Sequence, residues 1–519
     1  MTENRGNILW VDDEVDHLKP HILFLEDKGY TMSKTTNGQD AVAMVEQDAY
    51  DLVLLDQYMP GKDGMTTLRE IKEIKPGLPV ILITKSEEED LMDEAISEKV
   101  EQFLIKPVNP TQIFMACKQV LEQSKIREEH ATSGYLQEFQ KIQFRLQEDM
   151  SADDWWDVYS RLVKWQLEFD EHPDISLGDI LAEQMQSANN EFVKFIESNY
   201  LDWLSDDNRP ILSNDVFSKF IKPEIDQNNK TCLVVIDALR YDQFKAIQNF
   251  LNPYYDIKFD YQFSLLPTAT PFSRNSIFSG MFPNEFVKRF PEQLRDMEHH
   301  AKSLNRHEEK MLRTALDKAG FKEKTLRYEK IYTAEQGKKF QAHYSEIKNT
   351  DVLGIVVNFV DMLAHMRSES DVLKEMVPNE SGYRTAIRTW FEHSWLFALL
   401  RDLSHDGFTV IMTSDHGSTQ VSKGVLVGAD KETSKGVRYK IGRNLNTNEK
   451  HAMIIRRPAE YRLIELMHQT TYLIAKENVY FLYPNQQHKY ESQLKDSFQH
   501  GGISLEEMMV PVVTLRSKS

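Results

Sequence analysis

Short apolar runs alternate with amphipathic segments along the first 122 residues, and the alternation resumes near residue 230. In the first stretch the apolar runs are NILWVDDE, DLVLLDQYMP, PVILITKS and QFLIKP. In the later stretch they are TCLVVIDALR, VLGIVVNFVDMLAH and FTVIMTSDHG. Because parallel strands are joined by helical crossover connections, this alternation predicts two α/β domains with helices covering parallel sheets.

The segment between these stretches has helical periodicity, many charges and almost no strand signal. Ser151 stands three residues before Asp154 and just ahead of apolar positions at helical spacing, which is close to a capping box. The tryptophans of the segment are typical of a helical-bundle core rather than of a platform for stacking bases. We therefore predict a doubly wound, flavodoxin-like domain over 1–122, a helical connector over 123–223 and a second α/β domain over 224–519.

Composition excludes some functions and restricts the compartment. The 519 residues include 62 Lys and Arg against 81 Asp and Glu, and the net charge of -19 disfavours stable binding of duplex DNA. The two cysteines, Cys117 and Cys232, lie in apolar segments, and no signal peptide or long apolar span accompanies them. We therefore expect a reduced, cytoplasmic protein with no disulfide and no membrane span.

Polar residues follow the strands predicted in the first domain. Asp12 and Asp13 follow the first strand, Asp56 ends the third, Thr84 ends the fourth and Lys106 follows the fifth. The carboxyl ends of strands in an open α/β sheet border the ligand crevice, so these side chains should converge there. Three carboxylates and one lysine at a common edge would hold a hard divalent cation and place one oxygen for attack on phosphorus.

With these residues in place, the first domain resembles a two-component receiver domain, and DQYMPGKDG and LIKP match its phosphorylation and lysine loops. The resemblance implies that Asp56 accepts the phosphoryl group. It also implies that Asp12, Asp13, Asp56 and the carbonyl of Tyr58 surround Mg²⁺.

The same resemblance implies that Lys106 contacts the phosphoryl group and that Thr84 and Phe103 form the switch pair. The added negative charge would pull the Thr84 loop inward and let the aromatic side chain fill the vacated space. A sensor histidine kinase is then the partner. We expect phosphorylation of Asp56 to remodel the face between helix four and strand five and to promote a homodimer.

In the second domain each predicted strand leads into a carboxylate, at Asp237, Asp361 and Asp415. Three acids at one edge of a parallel sheet should approach one another unless a cation lies between them. His416 follows Asp415 directly, and His365 lies one helical turn beyond Asp361. The pattern predicts a metal site.

Two further segments bring candidate chemistry to this edge. In HGGISLEEMMVP, His500 precedes two glycines that permit close approach. In LPTATPFSRNSIFSGMFP, Thr270 fits a helix N-cap, Pro271 the first helical position and Gly280 the residue just past the helix. The Thr270 hydroxyl would then lie where backbone amides favour anions such as phosphate.

Taken together, VVIDALR, TATPFSRNSIFSG, DMLAH, TSDHG and HGGIS resemble the alkaline phosphatase superfamily, specifically its PglZ branch. The resemblance implies two metal ions, one held by Asp237, Thr270, Asp415 and His416 and the other by Asp361, His365 and His500. Mixed carboxylate and imidazole ligands favour zinc, with manganese as the alternative.

The resemblance further implies that Thr270 is the nucleophile of a two-metal phosphodiesterase or phosphatase. Threonine nucleophiles are frequent among the nucleotide phosphodiesterases of this superfamily, which favours nucleotide or oligonucleotide diesters over monoesters. Local basic clusters in an acidic chain also suggest an anionic substrate. Arg274, one turn into the nucleophile helix, is a candidate phosphate contact, and Arg438 and Lys440 are weaker candidates.

The order receiver, helical connector and PglZ domain resembles PorX-type response regulators. That resemblance implies a link to the regulation of type IX secretion and a sigma factor or a secretion component as a further partner. One alternative stays open, because the last domain could be a metal-stabilised binding module that recruits a protein and never turns over a substrate. Retention of Thr270 favours the enzyme.

Overall fold

The computed structural model describes residues 5–85, 100–171, 177–299, 303–428, 436–483 and 493–518. The chain forms two compact units. The first comprises the described residues of Met1–Lys141 and Glu168–Asp179, and the second comprises those of Ile142–Leu167 and Ile180–Ser519.

The first unit is built on a parallel sheet of five strands in the order β2-β1-β3-β4-β5. This order confirms the flavodoxin-like topology expected for a receiver. Buried aliphatic side chains cover both faces of the three central strands, which explains why β1, β3 and β4 read as unbroken apolar runs, whereas the edge strand β2, TMSKT, does not. The strands are β1 Asn7–Val11, β2 Thr31–Thr35, β3 Leu52–Asp56, β4 Val80–Thr84 and β5 Gln102–Ile105.

Helices alternate with these strands along the chain, and further helices form the connector. The predicted helix four falls within 86–99 and lies outside the described residues. The Ser151–Asp154 capping box is confirmed, since Asp154 N donates to Ser151 Oγ at 3.3 Å and Ser151 N donates to Asp154 Oδ2 at 2.9 Å. The helices are Val15–Leu18 (3-10), Lys19–Asp27, Gly38–Gln47, Gly64–Ile74, Pro110–Arg145, Ala152–Glu171 and Gly178–Trp203.

A mixed sheet of six strands, in the order β7-β18-β10-β6-β9-β8, forms the centre of the second unit. β10, β6, β9 and β8 are parallel, and β18 runs antiparallel to both of its neighbours. The three predicted strands, β6, β9 and β10, lie side by side in the middle. The strands are β6 Thr231–Ile236, β7 Tyr255–Phe263, β8 Leu326–Ile331, β9 Val352–Val357, β10 Thr409–Thr413 and β18 Met509–Ser517.

Smaller strands lie outside the central sheet, where β11 pairs with β17, β12 with β16, and β15 with both β13 and β14. They are β11 Thr419–Gln420, β12 Lys423–Leu426, β13 Tyr439–Gly442, β14 Ala452–Ile455, β15 Thr471–Ala475, β16 Val479–Leu482 and β17 Phe498–Gln499. The longer helices of this unit are Tyr241–Leu251, Thr270–Ser279, Glu308–Lys318, Phe359–Glu369, Glu380–Glu392 and Trp395–His405.

Shorter helices complete the unit. They are Ser213–Asp215 and Pro458–Tyr461 (both 3-10), Phe217–Ile221 (π), Lys222–Asp226, Pro283–Arg289, Pro291–Glu298, Ala334–Ala342, Tyr344–Ile347, Asp371–Met376 and Leu505–Met508.

The connector helix Gly178–Trp203 packs into the second unit. Phe192 stacks on Phe263 with ring centroids 6.3 Å apart, and Trp203 lies 4.9 Å from the same ring. Trp155 and Trp203 are buried, which agrees with their interpretation as core residues. Within the described ranges, no helix has the length and apolar character needed to cross a membrane.

Candidate metal centre and nucleophile

Three carboxylates meet at the carboxyl edge of the central sheet. Asp237 directly follows β6, Asp415 lies two residues past β10, and Asp361 lies in the first turn of the helix Phe359–Glu369 that follows β9. One oxygen on each side chain, Oδ1 of Asp237, Oδ1 of Asp361 and Oδ2 of Asp415, is buried without a hydrogen-bond partner. Buried carboxylate oxygens without donors are costly unless a cation satisfies them.

The first ligand group combines Asp237, Asp415 and His416. His416 Nε2 lies 3.7 Å from Asp237 Oδ1 and 3.7 Å from Asp415 Oδ2. The Nδ1 of His416 lies 3.0 Å from the carbonyl oxygen of Gly417. A proton on Nδ1 would be donated to that carbonyl, which leaves the Nε2 lone pair facing the two carboxylates.

The second group combines Asp361, His365 and His500. Asp361 Oδ1 lies 3.4 Å from His365 Nε2 and 3.6 Å from His500 Nε2. The Nδ1 of His500 lies 3.3 Å from the carbonyl oxygen of Thr268, so its Nε2 also faces the carboxylates. The rings of His416 and His500 stack with centroids 4.1 Å apart, which places the two groups side by side.

Thr270 joins the first group. Its Oγ1 lies 3.1 Å from His416 Nε2. The prediction that Thr270 is a helix N-cap is wrong, because Ala269 occupies the N-cap position and Thr270 is the first residue of the helix Thr270–Ser279. The hydroxyl therefore makes no cap and points to the ligand groups. The helix ends as predicted at Gly280, whose φ of 66° lies in the left-handed region.

The pKa values of the three carboxylates are shifted in different directions. Burial works to raise the pKa of Asp237, but the nearby Arg274 and His416 outweigh it, so the pKa lies below the ordinary value. Burial and the nearby Asp237 raise the pKa of Asp361 to about 6. The same causes raise the pKa of Asp415 to about 6. A bound cation would stabilise the charged forms of these two carboxylates, which burial and the neighbouring charge disfavour.

The imidazoles differ as well. Burial lowers the pKa of His500 well below its usual value, so this ring is neutral and its nitrogen is free to ligate. Burial also works to lower the pKa of His416, but the surrounding carboxylates raise it overall. The donor set of three unsatisfied carboxylate oxygens and three imidazoles fits two zinc ions, with Thr270 as an additional oxygen donor.

Arg274 does not lie where a phosphate contact would be. It is 4% exposed, and its Nη1 donates to Asp237 Oδ2 at 2.7 Å and to Asn358 Oδ1 at 3.3 Å, while its Nε donates to Glu308 Oε1 at 2.8 Å. The geometry makes Arg274 a support for Asp237 instead. Sequence reasoning missed Glu308 and Asn358, and only the position of Asn358 next to β9 could have suggested it.

Arg438 and Lys440, the weaker candidates, are also buried. Arg438 forms a two-pronged ion pair with Glu507, with Nε 2.8 Å from Oε1 and Nη2 2.7 Å from Oε2, and its remaining donors bond to backbone carbonyls. Lys440 lies over the ring of Tyr483 at 4.6 Å, and burial lowers its pKa to about 8. Neither side chain presents its charge to a substrate in this structure.

A separate acidic group lies at the carboxyl edge of the first unit and comprises Asp12, Asp13 and Asp56. Lys106 Nζ lies 2.8 Å from Asp12 Oδ2 and 3.1 Å from Asp56 Oδ2. The Oδ1 of Asp56 is buried without a hydrogen-bond partner. Burial raises the pKa of Asp56 although Lys106 opposes the shift. This arrangement suits a divalent cation beside a reactive carboxylate.

The remaining receiver residues surround this group. Thr84 ends β4 and is fully buried, and Phe103 in β5 is half-buried against the core on one face of the sheet. The side chain of Tyr58 is 49% exposed. The roles predicted for Thr84, Phe103 and the Tyr58 carbonyl therefore stay predictions, although all three residues lie in or next to the expected loops.

Three family models match this chain in succession. Residues 8–118 match the response regulator receiver domain, residues 125–204 the PorX response regulator linker domain and residues 216–515 the BREX system PglZ alkaline phosphatase-like domain. These matches confirm the predicted order of a receiver, a helical linker and a PglZ domain.

Two curated relatives each match less than a quarter of this chain. The transcriptional regulatory protein ResD of Bacillus subtilis is 32% identical over 121 residues, which are 23% of this chain and 50% of ResD. ZraR of Salmonella typhimurium is 35% identical over 109 residues, 21% of this chain and 25% of ZraR. The chain thus spans half or less of these two relatives. A solved receiver domain from Clostridium thermocellum is 28% identical and covers 23% of this chain and 98% of its own, with a TM-score of 0.22.

Proposed function

Because the chain belongs to the PglZ family of alkaline phosphatase-like domains and carries a receiver and a PorX-type linker ahead of that domain, we propose that its output is a phosphorylation-controlled, two-metal phosphodiesterase. The proposed nucleophile is Thr270. The proposed substrates are nucleotides or oligonucleotides with phosphodiester links.

One observation carries the proposal. Three buried carboxylate oxygens without partners, on Asp237, Asp361 and Asp415, converge with three imidazoles beside the Thr270 hydroxyl. A structural metal site needs no hydroxyl beside its ligands, and a helix start needs no orphaned carboxylates. The combination supports phosphoryl transfer better than metal storage.

The residues divide the chemistry between them. Bound zinc ions would lower the pKa of the Thr270 hydroxyl and neutralise charge on the departing oxygen. Thr270 loses its hydroxyl proton to solvent and Oγ1 forms a bond to phosphorus as the bond to the leaving oxygen breaks, and that oxygen takes up a proton and departs as an alcohol. Water then cleaves the phosphothreonine, which returns the proton to Oγ1 and releases a phosphomonoester. His416 Nε2 lies 3.1 Å from Oγ1, so both atoms would be ligands of the same metal ion, which would orient the hydroxyl. The half-exposed His365, whose side chain is 53% exposed, marks the side on which a substrate can enter.

Hydrolysis of bis-p-nitrophenyl phosphate and of short oligonucleotides by the purified full chain tests the proposal. We expect zinc-dependent turnover that a chelator abolishes and that zinc restores. Thr270→Val should reduce kcat by about a thousandfold or more, because the covalent step loses its nucleophile. Ser276→Ala, on the same helix, removes a buried hydroxyl that has no hydrogen-bond partner among the described residues, and this matched control should retain activity.

The contrary result is equally definite. A protein that binds two zinc ions and hydrolyses neither substrate, or whose turnover resists both Thr270→Val and chelation, would favour the metal-stabilised binding module. In that case a protein partner such as a sigma factor would be the ligand of the domain. Hydrolysis of p-nitrophenyl phosphate in the same assay distinguishes a monoesterase from a diesterase.

The receiver implies a sensor kinase as partner. The proposal has further parts. They are a link to type IX secretion, the recruitment of a sigma factor or secretion component, phosphorylation-dependent dimerisation and a cytoplasmic location. They are supported by the match of residues 125–204 to the PorX linker and of residues 8–118 to a receiver.

A further inference from the structure

The connector helix Gly178–Trp203 makes two buried polar contacts with the loops that carry the proposed site. From these contacts we infer that Asn189 and Tyr200 are positioning residues for the metal ligands and the nucleophile, although neither side chain touches them. The inference rests on the proposed function and adds the connector to the machinery of the same site. It identifies the two side chains through which a change in the connector would alter the positions of the metal ligands.

Asn189 forms hydrogen bonds with the segment just beyond His500. Its Oδ1 accepts a hydrogen bond from the Leu505 backbone N–H at 2.7 Å, and its Nδ2 donates to the Glu506 carboxylate at 3.1 Å. Opposite partners on the two ends of the amide fix its orientation. Asn189 is 6% exposed and Leu505 is fully buried, so removing the amide would leave a backbone donor and a carboxylate without a replacement partner.

The segment held by Asn189 supports the loops of two of the three histidines of the site. The Glu507 side chain accepts from Gly502 N at 2.8 Å, two residues after His500. The Glu507 carbonyl accepts from Gly417 N at 3.0 Å, one residue after His416. A Cβ at Gly417 would lie 1.8 Å from the Glu506 carbonyl oxygen, so the two loops touch through their backbones.

Tyr200 forms a hydrogen bond with the segment just before the nucleophile. Its hydroxyl accepts from the Leu266 backbone N–H at 2.9 Å, four residues ahead of Thr270. Tyr200 is 1% exposed, so no water replaces this acceptor. The 2.9 Å contact is made by the hydroxyl alone, which a change to phenylalanine would remove while leaving the ring in place.

The two contacts converge on one side chain. The Thr268 hydroxyl donates to the Gly502 carbonyl at 2.7 Å and accepts from Gly501 N at 3.1 Å, which ties the loop before Thr270 to the loop after His500. Asn189 and Tyr200 thus hold opposite ends of one hydrogen-bonded assembly. A shift of the helix that moved either contact would change the distance between Thr270 and the imidazoles. Groups that bond directly to a ligand typically alter metal affinity or activity 10–100-fold, and Asn189 and Tyr200 act one step further out, so we expect effects at the low end of that range.

The test uses the full chain carrying Asn189→Leu or Tyr200→Phe. Zinc affinity is measured by competition with a chromophoric chelator, and kcat and KM are measured with bis-p-nitrophenyl phosphate well below each unfolding midpoint. We expect Asn189→Leu to weaken zinc binding and to lower kcat, each by about tenfold, with KM within about twofold. Tyr200→Phe should lower kcat by about fivefold, as for loss of one buried hydrogen bond.

Asn199→Ala and Tyr254→Phe are the matched controls. Asn199 lies on the same helix and, within the described part of the chain, its side chain donates to the Phe195 carbonyl of that helix at 2.8 Å, and the Tyr254 ring packs on Phe397. Both should behave as wild type. A merely structural role would lower the unfolding midpoint of Asn189→Leu and Tyr200→Phe while leaving zinc affinity and kcat unchanged, and that result would overturn the inference.

Failure of the proposed function gives a different pattern. If wild type binds zinc without hydrolysing the diester, loss of zinc affinity in Asn189→Leu still supports the positioning role, and unchanged affinity overturns it. Should Asn189→Leu fail to fold, Tyr200→Phe alone decides by the same two measurements.

Discussion

Arg274 and Asp237 form a buried ion pair, with Nη1 2.7 Å from Oδ2 and both side chains about 5% exposed. The arginine occupies one carboxylate oxygen, and the other, Oδ1, has no hydrogen-bond partner and lies 3.7 Å from His416 Nε2. Asp237 is therefore oriented with its free oxygen towards the ligand group. Groups that orient ligands in this way are as much a part of a metal site as the ligands themselves.

Replacement of this arginine should be costly. Arg274→Ala removes the cation that pairs with Asp237 and leaves Glu308 with Lys330 as its cationic partner, and we expect a loss of about 3 kcal/mol in the free energy of unfolding of the metal-free protein, measured in urea. Zinc affinity should fall in parallel. The side chain of Arg306 is 56% exposed and pairs with Asp296. Arg306→Ala breaks that ion pair and should change the free energy of unfolding by less than about 1 kcal/mol.

Removal of metal should reveal the strain among the carboxylates. Because burial and Asp237 disfavour the charged form of Asp361, metal-free Asp361→Asn should melt roughly 2 °C above metal-free wild type. With zinc added the order should reverse, since the variant lacks a ligand. Calorimetry with and without zinc measures both midpoints, and Asp317→Asn, on a side chain that is 44% exposed, should show neither effect.

Lys440 offers a pH-dependent prediction away from the ligands. Burial lowers its pKa to about 8, so between about pH 8 and the ordinary value of 10.5 the unfolded chain binds more protons than the folded one. The contribution of this group to stability therefore rises with pH through that window. Lys440→Met should remove the rise and stabilise the protein at pH 7 by on the order of 2 kcal/mol.

Denaturation between pH 7 and 10.5 measures this effect. A matched change at Lys518, whose side chain is 47% exposed, should leave the pH profile unchanged. The KM of Lys440→Met should equal that of wild type, because the lysine is buried. A large rise in KM would restore Lys440 as a substrate contact.

The receiver prediction concerns Asp56 and Lys106. Beryllofluoride should convert the wild-type chain to a dimer in sedimentation velocity, and Asp56→Asn should abolish the change because the acceptor carboxylate is lost. Lys106→Met should weaken the response about tenfold or more, since the ammonium lies 3.1 Å from Asp56 Oδ2 and would neutralise the added charge. Lys118→Met, on a side chain that is 42% exposed, is the control. Dimers that form equally in all four proteins would contradict the expected switch.

Much of the architecture follows from local pattern. Apolar runs long enough for buried strands predicted β6, β9 and β10, and the rule that parallel strands deliver their following residues to one edge was enough to bring Asp237, Asp361 and Asp415 together. In the receiver the same pattern predicted β1, β3, β4 and β5, whereas β2, TMSKT, carries no apolar run, and the order of all five strands was expected from the resemblance to a receiver. The start of the nucleophile helix was placed one residue too late, because residue preference favours Thr270 over Ala269 as the N-cap, whereas the extended backbone that precedes the helix lies at Ala269.

The sequence by itself determined which side chains are available as ligands, since these follow strands whose period and burial are locally encoded. Only the tertiary structure decided how those ligands are held. Arg274 meets Glu308 from 34 residues away, and Asn189 meets Glu506 from 317 residues away. Such pairings depend on how distant elements pack, and a charged or amide side chain carries no local signal of whether it will face a substrate, a carboxylate or a neighbouring loop.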